Sequence, residues 1–427
     1  MIKRFLLGVA LLFSAVAPHA QVTLEECVER AQENYPLIKK YELLSRTREI
    51  SLSDINKGWL PQIGIYGQGT AQNAVPSFPD ALSDIMNQMG TDIRGLGKLQ
   101  YKVGAELSQT IWDGGASKSQ REIVRSDDAE RQAQLDVQLY SVRERVENLF
   151  FGILLIDEQI KQTQATQALL LGNLDRLRAM KANGTAMQSD VDMVEAQYLS
   201  VSQQLIQARS NSQSYRRMLE TFTGMDIAGQ QLVRPAADMP GNMAPNRPEM
   251  ALFDAQDQVN EARSGTIKSS LMPKIGLFAQ AYYGYPGFDN FKSMMNRDLS
   301  FNVLAGIKVS WNIGSLYTKK NSEQKIRIAS DNIAADRDLF LFNTSLQTQQ
   351  QVDRVNEIGN VMKEDARIVR LRANVRRAAE SQLENGVIDA TALLAKITEE
   401  NQARLSATYH EIQLIQSIYQ LKYTLNR

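Results

Sequence analysis

The sequence predicts an α+β membrane protein: long coiled-coil helices and four β-strands per chain, arranged as an internal two-fold sequence duplication. Three observations lead there. The stretch "LPQIGIYGQ" from Leu60 returns as "MPKIGLFAQ" from Met272. Four segments of about ten residues alternate apolar and polar side chains, the length of a tilted membrane strand. Two proline-free runs carry apolar residues in steps of three and four, the seam of helices wound on neighbours.

The first twenty residues, "MIKRFLLGVALLFSAVAPHA", read as a signal peptide (1–20), with Lys3 and Arg4 before an apolar core from Phe5 to Val16. Cleavage fits after Ala17 or Ala20, and the apolar run is too short to span a bilayer. The mature protein is therefore exported.

The repeat runs without gaps from Asn34–Gln68 over Asn246–Gln280, so that Glu49, Ile55, Pro61 and Gly64 answer Glu261, Ile267, Pro273 and Gly276. "YKVGAELSQTIWDGG" from Tyr101 resembles "FNVLAGIKVSWNIGS" from Phe301, and "KANGTAMQSDV" from Lys181 answers "LENGVIDATAL" from Leu383. Three matches in one order predict two halves, 21–235 and 236–427.

Each half reads helix, strand, strand, long helix, turn, helix. The leading helices are 23–57 and 247–270, and prolines close them ahead of the strands. Strands are expected over 62–75 and 101–112, then 274–285 and 300–312. The period then changes: Leu135, Leu139, Val142, Val146, Leu149, Ile153, Ile156 and Ile160 form a heptad seam that resumes at Leu170, Leu174 and Leu177. It predicts a helix over 116–182 and its counterpart over 316–384, each roughly 100 Å long at 1.5 Å per residue. Return helices follow at 188–223 and 389–425. By length alone, the leading helices can stack end to end on them.

Composition excludes several classes. Lysine plus arginine and aspartate plus glutamate are equal at 48, so no basic surplus points to nucleic acid. Cys27 is the only cysteine, so there is no internal disulfide, and it reads as a small buried helix residue. His410 is the only histidine left once the signal is removed, which argues against a zinc site or histidine catalysis. With no phosphate loop, nucleophile elbow or distinguished carboxylate pair, the sequence predicts no enzyme, no cofactor and no metal.

Four strands cannot close a barrel, and an open sheet in lipid would leave edge N–H and C=O groups unpaired. Several chains must therefore pool their strands, above a hollow bundle of their helices. The rival is an exported coiled-coil adhesin or structural scaffold whose strands only cap soluble rods.

The sequence resembles the TolC family of outer-membrane efflux and secretion channels along essentially the whole mature chain. The resemblance rests on "VTLEECVERAQENYP", "LPQIG", "MPKIG", "WDGG", "NRPEM" and the two Asn-Gly turns, in that duplicated order. It implies a homotrimer with a twelve-stranded transmembrane β-barrel and an α-helical tunnel into the periplasm of a Gram-negative cell. Such a channel serves a tripartite efflux pump or a type I secretion system. Its partners would be outer-membrane lipid, a periplasmic adaptor (membrane fusion protein) and an inner-membrane RND or ABC transporter.

Asn183-Gly184-Thr185 and Asn385-Gly386-Val387 suit tight helix reversals, because glycine accepts positive φ. The resemblance makes them the tip gripped by the adaptor. It also places Asp190 near the closed entrance, where it could cap or ion-pair; a solvated acid in a first helical turn is the alternative. Acidic residues that narrow the entrance of some relatives are replaced by Ala392 and Ala395, and a tyrosine by Leu383. That leaves Asp389, Lys396 and Glu399 as entrance candidates. Trp59, Trp112 and Trp311 fall at strand–helix junctions, as interface anchors or as junction packing.

Overall fold

The computed structural model describes residues 22–90 and 95–427; the expected signal peptide lies outside them. In chain order the elements are α1 (Leu24–Asn34), α2 (Lys39–Lys57), β1 (Gln62–Ala71), α3 (Asp80–Gln88), β2 (Leu99–Trp112), α4 (Ala116–Ala182) and α5 (Gln188–Thr223). Then follow α6 (Pro248–Ser270), β3 (Lys274–Tyr285), α7 (Asn290–Met295), β4 (Ser300–Ser310), α8 (Ser315–Glu384) and α9 (Ala390–Leu425). Among the described residues no helix is long and apolar enough to cross a membrane.

The leading helix expected over 23–57 is broken. Pro36 lacks the N–H that a continuing helix needs, and a single 3₁₀ turn, Pro36–Ile38, joins α1 to α2. The long helices have 67 and 70 residues and contain no proline.

The chain divides into two units. The first comprises the described residues up to Lys40 together with Gln134–Met250 and Asp338–Arg427. Its main core joins Leu24, Cys27 and Ala31 of α1 to Val142, Val146, Phe150, Phe151 and Ile153 of α4, Leu219 of α5, and Ile412, Ile415 and Tyr419 of α9. The dense run "LFFGILLI" in α4 is a packing layer here: Phe150 and Phe151 are edge-on to one another, and Tyr419 leans on Phe151. Cys27 is fully buried, and burial pushes its thiol up to about 12, which leaves it unreactive at neutral pH.

The return helices end on two asparagines at matching places in the sequence. The Asn34 amide donates to the carbonyls of Thr221 and Phe222 at the end of α5. The Asn246 N–H donates to Leu425 at the end of α9, while its carbonyl accepts from Asn426. Helix ends leave such carbonyls without partners, so these contacts settle both.

Two buried glutamates in this unit behave oppositely. Glu147 has one arginine partner, Arg143 at 2.8 Å, and burial raises its carboxyl to about 7. Burial also acts to raise Glu400. There, hydrogen bonds from Arg376 at 2.5 Å and Arg404 at 2.6 Å outweigh it and hold the carboxyl below its ordinary range. Glu147 therefore favours the fold at low pH and loses that contribution as pH rises towards about 7. Glu400 favours the fold at neutral pH and loses its contribution as pH falls below about 4.3. Glu147→Gln is expected to raise stability at pH 8 by about 1 kcal/mol, and Glu400→Gln to lower it by about 2 kcal/mol. Denaturant titrations at pH 8 and pH 4 test this, with the Glu400→Gln deficit shrinking in acid.

The second unit comprises Tyr41–Ala133 and Ala251–Arg337. In it α2 runs antiparallel along the start of α4, tied by Arg48 to the buried Asp128 at 2.8 Å and by Arg121 to Asn56. Likewise α6 runs along the start of α8 through Asp254–Arg337 and Asp257–Ser330. The four strands form one antiparallel sheet in the order β1-β2-β3-β4, which leaves β1 and β4 at its edges.

Candidate functional site

The sheet has two chemically distinct faces, set by a register that keeps opposite residues on one side. One row runs Ile65, Ala105, Ala281, Val303, and the next Gly67, Val103, Tyr283, Phe301. Leu99, Tyr101, Leu277, Ile307 and Val309 continue this face, and no charged residue stands on it. Its side chains are in the open: Ile65 is 84% exposed, Ile63 72% and Phe301 70%. The opposite face carries Tyr66, Gln68, Thr70, Gln100, Gln280, Tyr282 and Asn302, with Phe278 and Leu304 among them. All four charged strand residues, Lys102, Glu106, Lys274 and Lys308, share it. The Gln280 amide donates to the Tyr66 hydroxyl, and the Lys102 ammonium lies over the rings of Tyr282 and Tyr66.

A β-bulge between Thr110 and Trp112 places Trp112 opposite Ile275. The extra residue turns Trp112 onto the apolar face, which its even position in the strand alone would not do. Trp311, two residues beyond Val309, follows the same face, and its indole N–H donates to the Leu271 carbonyl at 2.9 Å. Trp59 lies between α2 and β1, where its carbonyl accepts from Gln109. All three rings stay partly exposed, so they stand at the helix-side end of the sheet without being sealed into a core.

Both turns expected from the sequence are helix reversals of one design. Gly184 has φ +75°, with Thr185 N–H bonded to Met180 C=O and Gly184 N–H to Lys181 C=O. Gly386 has φ +69°, with Val387 N–H bonded to Gln382 C=O and Gly386 N–H to Leu383 C=O. These paired bonds close the last turns of α4 and α8. Nothing lies within 4 Å of a methyl group added at either glycine, so the backbone alone demands glycine. Gly386→Ala is expected to lose about 1 kcal/mol without disturbing packing, read as faster amide exchange confined to the turn. Beneath the turns lies a second core of Leu170, Leu174, Leu177, Val191, Leu393 and Ile397, with Leu383 within it.

The entrance candidates all have partners inside the chain. Asp190, in the first turn of α5, accepts the Met187 N–H at 2.9 Å, and Asp389, the N-cap of α9, accepts the Ala392 N–H at 2.8 Å. Lys396 and Glu399 pair at 3.0 Å, and Glu399 also meets Arg372 of α8. The lysine's hydrogen bond holds the Glu399 carboxyl below its ordinary range. Sequence reasoning thus found residues near the turns and left a capping role open for Asp190, but it missed the cap at Asp389 and the link from Glu399 to Arg372. It gave no role at all to Arg247, of the "NRPEM" stretch. Its guanidinium pairs with Glu249 and lies 5.2–5.6 Å from the ring centres of Tyr140, Phe340 and Tyr423. Those rings lie too far along the chain for spacing to reveal them.

Residues 27–225 match the family model described as outer membrane efflux protein. No curated protein is recognisably similar in sequence. The outer membrane protein VceC from Vibrio cholerae superposes with a TM-score of 0.66 at 11% identity, covering 94% of this chain and 95% of that one. The Campylobacter jejuni CmeC outer membrane channel gives 0.64 at 13% identity, covering 94% and 85%. The open state of the Neisseria gonorrhoeae MtrE outer membrane channel gives 0.65 at 14% identity, covering 94% and 88%. At such identities the likeness establishes a shared fold.

Proposed function

We propose that the chain is a passive channel of the outer membrane efflux protein family, whose model matches residues 27–225, and that three copies form an outer-membrane duct. In this reading the two halves descend from one duplicated unit, and each supplies a strand pair and a helix pair. Twelve pooled strands make the transmembrane barrel, and the helices make a tunnel into the periplasm. The observation that carries the reading is the sheet: one charge-free face of exposed Ile, Val, Leu and Phe, a polar face opposite, and edges open at β1 and β4. Lipid accepts the first face, a water-filled lumen the second, and only neighbouring copies can satisfy the edges.

The duct would serve a tripartite efflux pump or a type I secretion system. A periplasmic adaptor would grip the turns at Asn183–Thr185 and Asn385–Val387, below an inner-membrane RND or ABC transporter. Met187 and Val387, each about 70% exposed beside the turns, offer that adaptor apolar contact. Trp112 and Trp311 would anchor the barrel at the inner rim of the outer membrane, with Trp59 close by. Opening of the entrance would require Asp190, Asp389, Lys396 and Glu399 to exchange the partners described above.

Detergent extraction of the outer-membrane fraction, followed by mass determination and negative-stain imaging, tests this. A threefold particle of three chains with a protruding rod is expected. A monomer recovered without detergent would overturn the reading.

A further inference from the structure

The four charged residues of the strands do not balance. Lys102, Lys274 and Lys308 stand on the polar face against Glu106 alone, which leaves a surplus of two positive charges per chain. Among the described residues none of the four forms an ion pair, so none of this charge is cancelled locally. Lys102 is held against the sheet by the Tyr66 and Tyr282 rings, 5.8 and 5.3 Å from its ammonium, which keeps the charge and fixes its place. A cavity of about 330 Å³ opens beside it, lined also by Gln68, Thr70, Gln100 and Asn290.

The links between strands do not oppose this field within the sheet. Their described residues hold Lys98, Lys292 and Arg297 against Asp80, Asp84, Asp289 and Asp298, a net of one negative charge beyond the strand ends. Those groups are in water, where charges are screened over about 10 Å at 0.1 M salt. The strand lysines, in the duct proposed above, face a narrow lumen whose walls are backed by lipid. A low dielectric wall with a surplus of one sign of charge concentrates counter-ions.

We infer that the barrel lumen favours anions, and that Lys102 and Lys308 set this preference for small anionic solutes over cations. The inference rests on the channel reading. Purified full-length protein in planar lipid bilayers, under a potassium chloride gradient, gives the reversal potential. The expected chloride preference at 0.1 M salt is about 10-fold, falling as salt approaches 1 M. Lys102→Gln combined with Lys308→Gln is expected to bring the ratio close to even, and the same positions changed to Glu to reverse it. The Gln pair keeps chain length and polarity, so its conductance steps also report that the barrel still assembles.

Cation preference in the unaltered protein, or a ratio that neither pair of substitutions moves, would overturn the inference while leaving the duct intact. Purified protein that never inserts into the bilayer would overturn the duct and the inference with it.

Discussion

Ile65→Arg is expected to keep the protein from assembling in the outer membrane, whereas Ser108→Arg is tolerated. Ile65 lies in the row Ile65-Ala105-Ala281-Val303 and is 84% exposed on the charge-free face. An arginine near the middle of a lipid-facing barrel wall costs about 2–4 kcal/mol, and every copy in the assembly bears that cost. Ser108 stands on the opposite face, between Gln62 and Phe278, where a long cationic side chain can reach water. Fractionation of cells, with the oligomer resolved by mild-detergent electrophoresis, separates the two outcomes. Equal loss for both variants would mean that the strand faces do not distinguish lipid from lumen. Equal tolerance would remove the membrane from the reading altogether.

Arg247→Ala is the second large effect, about 3 kcal/mol of lost stability. The guanidinium is 14% exposed, paired with Glu249 at 15%, and enclosed by Tyr140 of α4, Phe340 of α8 and Tyr423 of α9. Removing it leaves Glu249 without its partner in a half-buried site, which in buried pairs costs about 3–5 kcal/mol. The cation–ring contacts are lost as well, each worth about 1 kcal/mol where partly desolvated. Tyr140 also donates its hydroxyl to the Tyr423 carbonyl, so its ring is held in place from the other side. Arg247→Lys should recover only part of the loss, because a point-like ammonium cannot fill the space among three rings and fork onto a carboxylate at once. Thermal denaturation of the three proteins should rank them native, Lys, Ala. A Lys variant equal to the native protein would show that charge alone matters at this position.

Much of the local plan was legible in the chain because it is written in short-range periods. Alternation by two marks Ile63-Ile65 and Val303-Ala305-Ile307-Val309 as strand faces. The three-and-four spacing of Val142, Val146 and Ile153 marks a buried helical stripe, and all three are buried in the first unit's core. Asn-Gly at 183 and 385 marks places where φ must turn positive. Each of these signals depends on neighbours within a few residues.

The entrance candidates show where that kind of legibility stops. Position relative to the glycines singled out Asp190, Asp389, Lys396 and Glu399. It could not show that the two aspartates are engaged by backbone N–H groups, or that Glu399 reaches Arg372 across 27 residues. Similarly, the even position of Trp112 in its strand points to the polar face, and only the pairing with β3 shows the bulge that turns it over.

The sequence by itself determined the kinds of element, their order and the residues at each reversal, since backbone propensity and hydrophobic period act locally. Only the tertiary structure decided that β2 and β3 pair at the centre of one sheet, that all four strand charges share a face, and that Asn34 and Asn246 close the return helices. It likewise placed Arg247 among rings from three helices. These outcomes depend on contacts between residues up to two hundred positions apart, where register and packing choose the partner and no local period records it.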